Sequence, residues 1–147
     1  MSFEAGNDVN VYYIDGAWAL TASSWVEIPN IVDSNLPWSE EMAEQANRDQ
    51  PIKSFKRTYI DLGIEITMEV DRTNAIYQDL VAASIAQTVV PIGSGVSKAT
   101  GAKLFAFEAM VSMGPETHDN GTTVRRTFLF KPHMNGTNKG ADITLTA

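Results

Sequence analysis

A strict alternation of apolar and polar residues between positions 64 and 70 is the sequence feature that most constrains the fold. Its apolar members are Ile64, Ile66, Met68 and Val70, and its polar members are Glu65, Thr67 and Glu69. Successive side chains of a β-strand point to opposite faces of the sheet, so this pattern predicts a strand with one face on a core and one face in water.

Several other segments carry strand signals. The sequence predicts strands over 9–15, 25–28, 54–62, 103–113, 124–131 and 142–146, and turn signals such as Asp15-Gly16 and Asn120-Gly121 lie between them. The strands on either side of 114–122 predict a hairpin with a long tip, and 94–101 predicts a loop of small residues. Roughly seven strands in a chain of this length indicate a mainly β domain.

One segment has a helical pattern instead. Asp71 or Thr73 is available as its N-cap, and Pro91 and Gly93 are stop signals. The predicted buried stripe consists of Ile76, Tyr77, Leu80, Val81, Ser84, Ile85 and Val89. Because a single helix must bury its stripe against another element, the predicted fold is a sandwich- or barrel-like sheet with one packed α-helix at about 74–89.

The stretch between residues 30 and 50 is the least defined. Ser39 precedes good helix formers, but Met42, Ala43 and Ala46 form too weak an apolar face to anchor a helix. The sequence leaves open whether 39–47 is an exposed loop, a short surface helix or a strand.

Composition excludes several classes of protein. The 147 residues fit a single domain, 1–147, and contain no cysteine, which excludes a disulfide framework, a thiolate metal site and a cysteine nucleophile. The formal charge of −7 and the scattered basic residues disfavour tight binding of nucleic acid. We expect no signal peptide and no membrane span, because the first residues lack a basic region and no apolar run is long enough.

No group of residues predicts catalysis. His118 and His133 are the two histidines, and no nucleophile elbow accompanies them. Glu116 and its neighbours at 119–120 lack the ligand spacing of a calcium loop, and Gly93-Ser-Gly95 lacks the lysine of a phosphate loop. We therefore predict no enzyme, no catalytic, metal-binding or cofactor-binding residue, and no cofactor.

The order of features along the chain is more informative than any single motif. A strand at Trp25-Val-Glu-Ile28 leads through 31–33 into an acidic loop, and Arg48-Asp49 and the run 53–63 follow. The strand 64–71, a helix containing Leu80-Val-Ala-Ala83 and a strand-rich final third complete the order. Over roughly residues 24–131, this arrangement resembles the tail tube (major tail) proteins of long-tailed bacteriophages.

The resemblance implies a self-assembling structural protein of the virion tail that is assembled in the host cytoplasm. Subunits of that family form hexameric rings, in which neighbouring sheets continue one another into a closed β-barrel with the helix outside. The rings stack into a tube that conducts DNA. The implied partners are further copies of the chain, other tail proteins, and DNA that passes without specific binding; no membrane is implied.

The resemblance also gives positions to the polar residues. Glu65, Thr67 and Glu69 are expected to face the lumen, where acidic side chains repel phosphates. Residues 34–51 are expected to form an inter-ring loop, and 1–8 and 132–147 to be interface arms. The expected inter-subunit residues, with acidic ones opposite basic ones of a neighbour, are Glu40, Glu41, Glu44, Arg48, Asp49, Lys53, Lys56 and Arg57.

Three alternatives stay open. A different β-protein of the virion, such as a tail terminator, connector or capsid decoration protein, would form single rings, trimers or monomers. A carbohydrate-binding β-sandwich would use Trp18, Trp25 or Trp38 as a stacking platform. An enzyme would have His118 as its general base.

Overall fold

The computed structural model describes residues 9–45, 52–118, 120–121 and 123–147. Its strands are β1 (Asn10–Tyr13), β2 (Val26–Glu27), β3 (Ile31–Asn35), β4 (Trp38–Gln45), β5 (Ser54–Leu62), β6 (Ile64–Glu69), β7 (Val90–Gly95), β8 (Lys103–Thr117), β9 (Arg125–Pro132) and β10 (Ala141–Thr144). The helix α1 (Ala75–Ala86) lies between β6 and β7. The predicted mainly β fold with one packed helix is confirmed.

Eight of the strands form one antiparallel sheet in the order β2-β1-β7-β8-β9-β6-β3, and β10 pairs with the start of β8. The long strand β8 joins two halves of this sheet, because β7 pairs with its residues 105–109 and β9 pairs with its residues 109–117. Only Ile28 to Asn30 connect the edge strands β2 and β3. Since so short a link spans at most about 15 Å, the end of β2 and the start of β3 lie close together, so the sheet is bent.

The curled sheet and α1 enclose the main core. The alternation in β6 is confirmed, because Ile64, Ile66 and Met68 are buried and Glu65 is exposed. Phe128 of β9 is also buried, and its ring packs edge-on against Tyr77 of α1 at a centroid distance of 6.0 Å. One face of β6 and β9 therefore lies on the core, which leaves the opposite face to solvent.

A second apolar cluster lies on the other face of β1 and β8. It consists of Tyr12, Ile14, Trp25, Leu104, Ala106 and Leu145. The C-terminal residues close it, since Ala22 N donates to Thr146 O at 2.9 Å and Thr146 N donates to Leu20 O at 2.8 Å. The end of the predicted interface arm 132–147 thus pairs within its own chain, whereas the predicted arm 1–8 lies outside the described residues.

The N-cap of α1 differs from both predicted candidates. Asn74 Oδ1 accepts hydrogen bonds from Ile76 N at 2.9 Å and from Tyr77 N at 3.2 Å. Asp71 instead accepts bonds from the hydroxyl and the backbone N–H of Thr73, and these bonds lower the pKa of Asp71. The prediction of Asp71 or Thr73 as the cap is wrong because those residues form the preceding turn.

The end of α1 also departs from the sequence pattern. Gln87, with φ at 57°, ends the helix in the left-handed conformation, and Ile85 of the predicted stripe is 74% exposed. Pro91 and Gly93 lie in β7, a strand that the sequence did not predict. A Cβ at Gly93 would lie 3.3 Å from the ring of Trp25, so glycine allows β7 to pack closely against this ring.

The strands β4 and β5 form a separate two-stranded hairpin. Trp38 pairs with Leu62 at its base and Gln45 with Ser54 at its far end. The sequence left open whether 39–47 is a loop, a helix or a strand, and the structure shows a strand up to Gln45. Pairing with β5 stabilises this strand despite its weak apolar pattern. Gly63 joins the hairpin to β6, where a Cβ would lie 2.8 Å from the carbonyl oxygen of Phe130.

Candidate functional surfaces

The first candidate surface is the solvent face of β3, β6, β8 and β9, which we call the polar face. Cross-strand pairing places Glu65 beside Leu129, Thr67 beside Thr127 and Glu69 beside Arg125. The two threonine hydroxyls lie 3.3 Å apart and link the strands. Together with their neighbours on β3 and β8, the members of the polar face are Asp33, Asn35, Glu65, Thr67, Glu69, Ser112, Arg125, Thr127 and Leu129.

The polar face is acidic overall. Asp33, Glu65 and Glu69 carry negative charge, and Arg125 is the basic member of the set. At its margin, Lys131 Nζ forms an ion pair with Asp61 Oδ1 at 2.8 Å. A surface of acidic and hydroxyl groups repels phosphates.

The second candidate surface is the β4–β5 hairpin, which exposes large apolar side chains. The exposed members are Trp38, Met42, Ile52, Phe55 and Tyr59, and between 49% and 77% of each is accessible to solvent. Exposed apolar side chains concentrated on a projecting element indicate a surface for another protein chain. Among the described residues, the base of the hairpin packs on its own domain, where Trp38 contacts Phe105 edge-on at 5.9 Å.

The charged residues of the hairpin pair mainly across its own strands. Arg57 contacts Glu40 at 3.3 Å, and Lys53 contacts Glu44 at 3.1 Å. The structure therefore brings four predicted inter-subunit residues together within one chain. Lys56 and Glu41 are exposed and form no ion pair within the described ranges. Arg48 and Asp49 lie outside those ranges, and the inter-subunit assignment stays a prediction.

The three tryptophans do not form a platform. Trp25 is fully buried, and its Nε1 donates to the carbonyl oxygen of Ala19 at 3.2 Å. Trp18 packs edge-on against Trp25 at 5.8 Å. Because a buried ring cannot stack on a sugar, Trp25 cannot contribute to a carbohydrate site.

The two histidines have structural contacts. His133 is buried, with Nε2 3.0 Å from Gln87 O, and its Nδ1 accepts a bond from Asn135 N at 3.0 Å. His118 is exposed and lies 3.9 Å from Glu116, which also contacts Arg126 at 3.6 Å. The described part of the chain contains no group of three side chains able to hold a metal ion and no helix long and apolar enough to span a bilayer.

A cavity of about 420 Å³ lies between the end of β1, one side of α1 from Asp79 to Ala86, and the start of β7. The Tyr13 hydroxyl donates to Asp79 Oδ2 at 3.2 Å at its edge. Burial, and then the neighbouring carboxylates of Asp79 and Asp15, raise the pKa of Tyr13 to about 12. No local sequence pattern marks this cavity, because Tyr13 and Asp79 are distant along the chain.

The whole fold matches solved structures of virus-like tails. The chain matches a subunit in the tail of an empty gene transfer agent particle, solved with C6 symmetry, with a TM-score of 0.69, 10% identity, and coverage of 99% of this chain and 100% of that one. For the virion of a native gene transfer agent particle, the TM-score is 0.65 and the identity 7%, with 98% and 100% covered. For the SPP1 tail tube, the TM-score is 0.66 and the identity 11%, with 97% and 80% covered.

These matches define the class of the fold. No protein-family model and no curated protein matches the sequence, so the likeness is structural. The chain has the fold of tail tube subunits, and the resemblance inferred from the order of its elements is confirmed at the level of the fold.

Proposed function

We propose that this chain is a structural subunit of a virion tail tube, which assembles into stacked rings around a lumen through which DNA is delivered. The observation that carries the proposal is the match, over 97% to 99% of this chain, to subunits from the tail tube of SPP1 and the tail of a gene transfer agent particle. A place in the virion tail, assembly in the host cytoplasm and a non-enzymatic role follow from this proposal.

The edges of the sheet support ring formation. The strands β2 and β3 end the sheet, and neither has a partner on its outer side among the described residues. Unpaired strand edges are templates for pairing with another chain, and closure of a ring removes them. In the proposed ring, sheets of neighbouring copies continue one another into a β-barrel.

The burial pattern supports the polar face as the lumen surface. The opposite face of β6 is committed to the core through Ile64 and Ile66. These strands can therefore present only the polar face to a water-filled lumen, with Glu65, Thr67 and Glu69 exposed to the passing DNA. Acidic side chains there keep the phosphate backbone from binding, so that DNA moves through without specific contacts.

The hairpin supports contact between subunits. Met42, Phe55 and Tyr59 are more than half exposed on an element that projects from its domain. Burial of such side chains removes apolar surface from water, which favours association. We assign the hairpin, within the predicted segment 34–51 and its partner strand β5, to contacts between copies.

Sedimentation velocity over a series of protein concentrations tests this proposal. A tail tube subunit is expected to form open-ended polymers whose size grows with concentration. The matched variant Met42→Asp/Phe55→Asp should remain folded and sediment as a small species, because both substitutions place charge in the proposed contact. A tail terminator, connector or decoration protein would give one closed species at every concentration, and that result would contradict the tube assignment.

A further inference from the structure

Two asparagines of the chain are followed directly by glycine, at Asn120-Gly121 and at Asn135-Gly136. An asparagine in this position can lose its side-chain amide without any enzyme. The backbone nitrogen of the glycine attacks the side-chain carbonyl carbon, a C–N bond forms, and the amide nitrogen leaves as ammonia together with the proton of the backbone nitrogen. Water then opens the resulting succinimide ring and leaves aspartate or isoaspartate in the chain.

The fold decides whether such a pair reacts. Glycine favours the reaction because it has no side chain to shield its backbone nitrogen and because its backbone adopts many conformations. The asparagine side chain must also swing over the following peptide bond, and the glycine N–H must be available to lose its proton. A pair that is fixed by hydrogen bonds therefore reacts more slowly than a pair that is open.

The pair Asn135-Gly136 is fixed. Gly136 N donates to His133 O at 3.0 Å, and Asn135 N donates to His133 Nδ1 at 3.0 Å. Gly136 is buried, and a Cβ at this position would lie 2.9 Å from the Cβ of Glu108. The nitrogen that has to attack is thus engaged in a hydrogen bond and closely surrounded.

Further bonds hold the loop around this pair on β8 and α1. Asn138 Nδ2 donates to Glu108 Oε1 at 2.6 Å, and Glu108 N donates to Asn138 O at 2.8 Å. His133 Nε2 lies 3.0 Å from Gln87 O at the end of α1. Attack at Asn135 therefore requires local opening of the loop, and its rate falls with the population of the open form.

The pair Asn120-Gly121 is open. It lies in the connection between β8, which ends at Thr117, and β9, which begins at Arg125, and both of its residues are exposed. Gly121 has a φ of 80°, and a Cβ at this position would have no described heavy atom within 4 Å beyond its chain neighbours. Because exposed loop tips of small and polar residues sample many conformations, the Asn120 side chain can reach the Gly121 nitrogen while β8 and β9 stay paired.

We propose that Asn120 is a site of spontaneous deamidation in the folded protein and that the fold protects Asn135 from the same reaction. Each conversion replaces a neutral amide by a carboxylate, so the formal charge of a copy changes by one unit, from −7 to −8. Conversion to isoaspartate also adds a methylene group to the backbone between Asn120 and Gly121. The inference concerns the chain itself and does not depend on the tube function.

The new charge falls at one end of the polar face. Thr117 of β8 and Glu69 of β6 both pair with Arg125, so these residues form the row of the sheet that lies nearest to the tip. A carboxylate at position 120 makes this end of the face more acidic as the protein ages. Deamidation thus changes the charge of the surface that we assign to the lumen without altering the core.

Incubation of the folded protein at mildly alkaline pH, followed by peptide mass spectrometry, tests the proposal. The peptide that contains Asn120 should acquire aspartate and isoaspartate at least about tenfold faster than the peptide that contains Asn135, because only the second reaction requires the loop to open. In concentrated urea both peptides should convert at comparable rates. That comparison separates the effect of the fold from the effect of the neighbouring sequence.

Three variants test the physical reason. Asn138→Ala removes an anchor of the loop and should accelerate conversion at Asn135 while the rate at Asn120 stays the same. Asn120→Gln should abolish the reaction at the tip, because the longer side chain closes a larger and less favourable ring. The matched variant Asn135→Gln should leave the rate at the tip unchanged.

Two results would overturn the proposal. One is equal conversion of both pairs in the folded protein, and the other is an intact Asn120 after a time in which the unfolded chain has converted. If Asn138→Ala left Asn135 as stable as before, the hydrogen bonds of the loop would not be its protection. All of these rates are measured on the chain whether or not it polymerises, so they leave the tube proposal to its own test.

Discussion

Reversing the charge of the polar face is the most informative perturbation of the proposed lumen. The variant Glu65→Lys/Glu69→Lys changes the formal charge of each copy from −7 to −3, because each reversal adds two units. Both side chains lie on the solvent face of β6, so neither substitution disturbs the core. We expect tubes to form as in the wild type and to bind DNA that the wild type excludes.

The size of the effect follows from counterion release. If the two new lysines of two adjacent copies contact phosphates, the slope of log affinity against log salt is about −3.6. Raising the salt from about 50 to about 200 mM then weakens DNA binding by about 150-fold. The neutral variant Glu65→Gln/Glu69→Gln removes the same carboxylates without adding a cation, and it should show no salt-dependent binding.

The assay compares a short linear duplex with a closed circular duplex by fluorescence anisotropy. A linear duplex can enter a tube from its open end, whereas a closed circle cannot be threaded. We expect the lysine variant to bind the linear duplex and to leave the circle unbound. Equal binding of both forms would show that the polar face lies on the outside, and it would refute the lumen assignment.

The remaining predictions concern the unassembled subunit. Asn74→Ala removes the N-cap of α1 and should lower the free energy of unfolding by about 1 kcal/mol in urea titrations. Phe128→Ala leaves a cavity in the fully buried core and should cost about 3–5 kcal/mol by the same measurement. Folding raises the pKa of Tyr13 to about 12. The stability that the neutral Tyr13 hydroxyl contributes to the folded state is therefore complete below about pH 10 and is lost as the pH rises through about 12. Tyr13→Phe should flatten this alkaline loss of stability. An unchanged urea midpoint for either truncation, or an unchanged alkaline profile for Tyr13→Phe, would contradict the corresponding contact.

Much of the sheet could be predicted from the sequence because its strands have one buried and one solvent-exposed face, which gives an alternating pattern of apolar and polar residues. Ile64 to Glu69 alternate without exception, and the register with β9 keeps the same alternation. The β8–β9 hairpin was predictable for the same reason, with Gly121 in its tip at a positive φ of 80°. The polar face is therefore a direct consequence of a two-residue period.

The segments that the sequence missed depend on contacts between distant residues. β7 contains Pro91 and Gly93, which are local signals against a strand, yet Gly93 lies close under the ring of Trp25, a distant residue that leaves little room for a side chain there. β4 has weak apolar content and becomes a strand through its partner β5. The cavity near Asp79 arises only when α1 packs against β1, so no local pattern marks it.

The central claim is that this chain polymerises into a hollow tube, and cryo-electron microscopy of the purified protein tests it most directly. We predict stacked rings of constant diameter, with the hairpins between copies and the polar face of β6 and β9 around the lumen. Uniform closed particles at every concentration, or filaments in which Glu65 and Glu69 lie on the outer surface, would contradict the account.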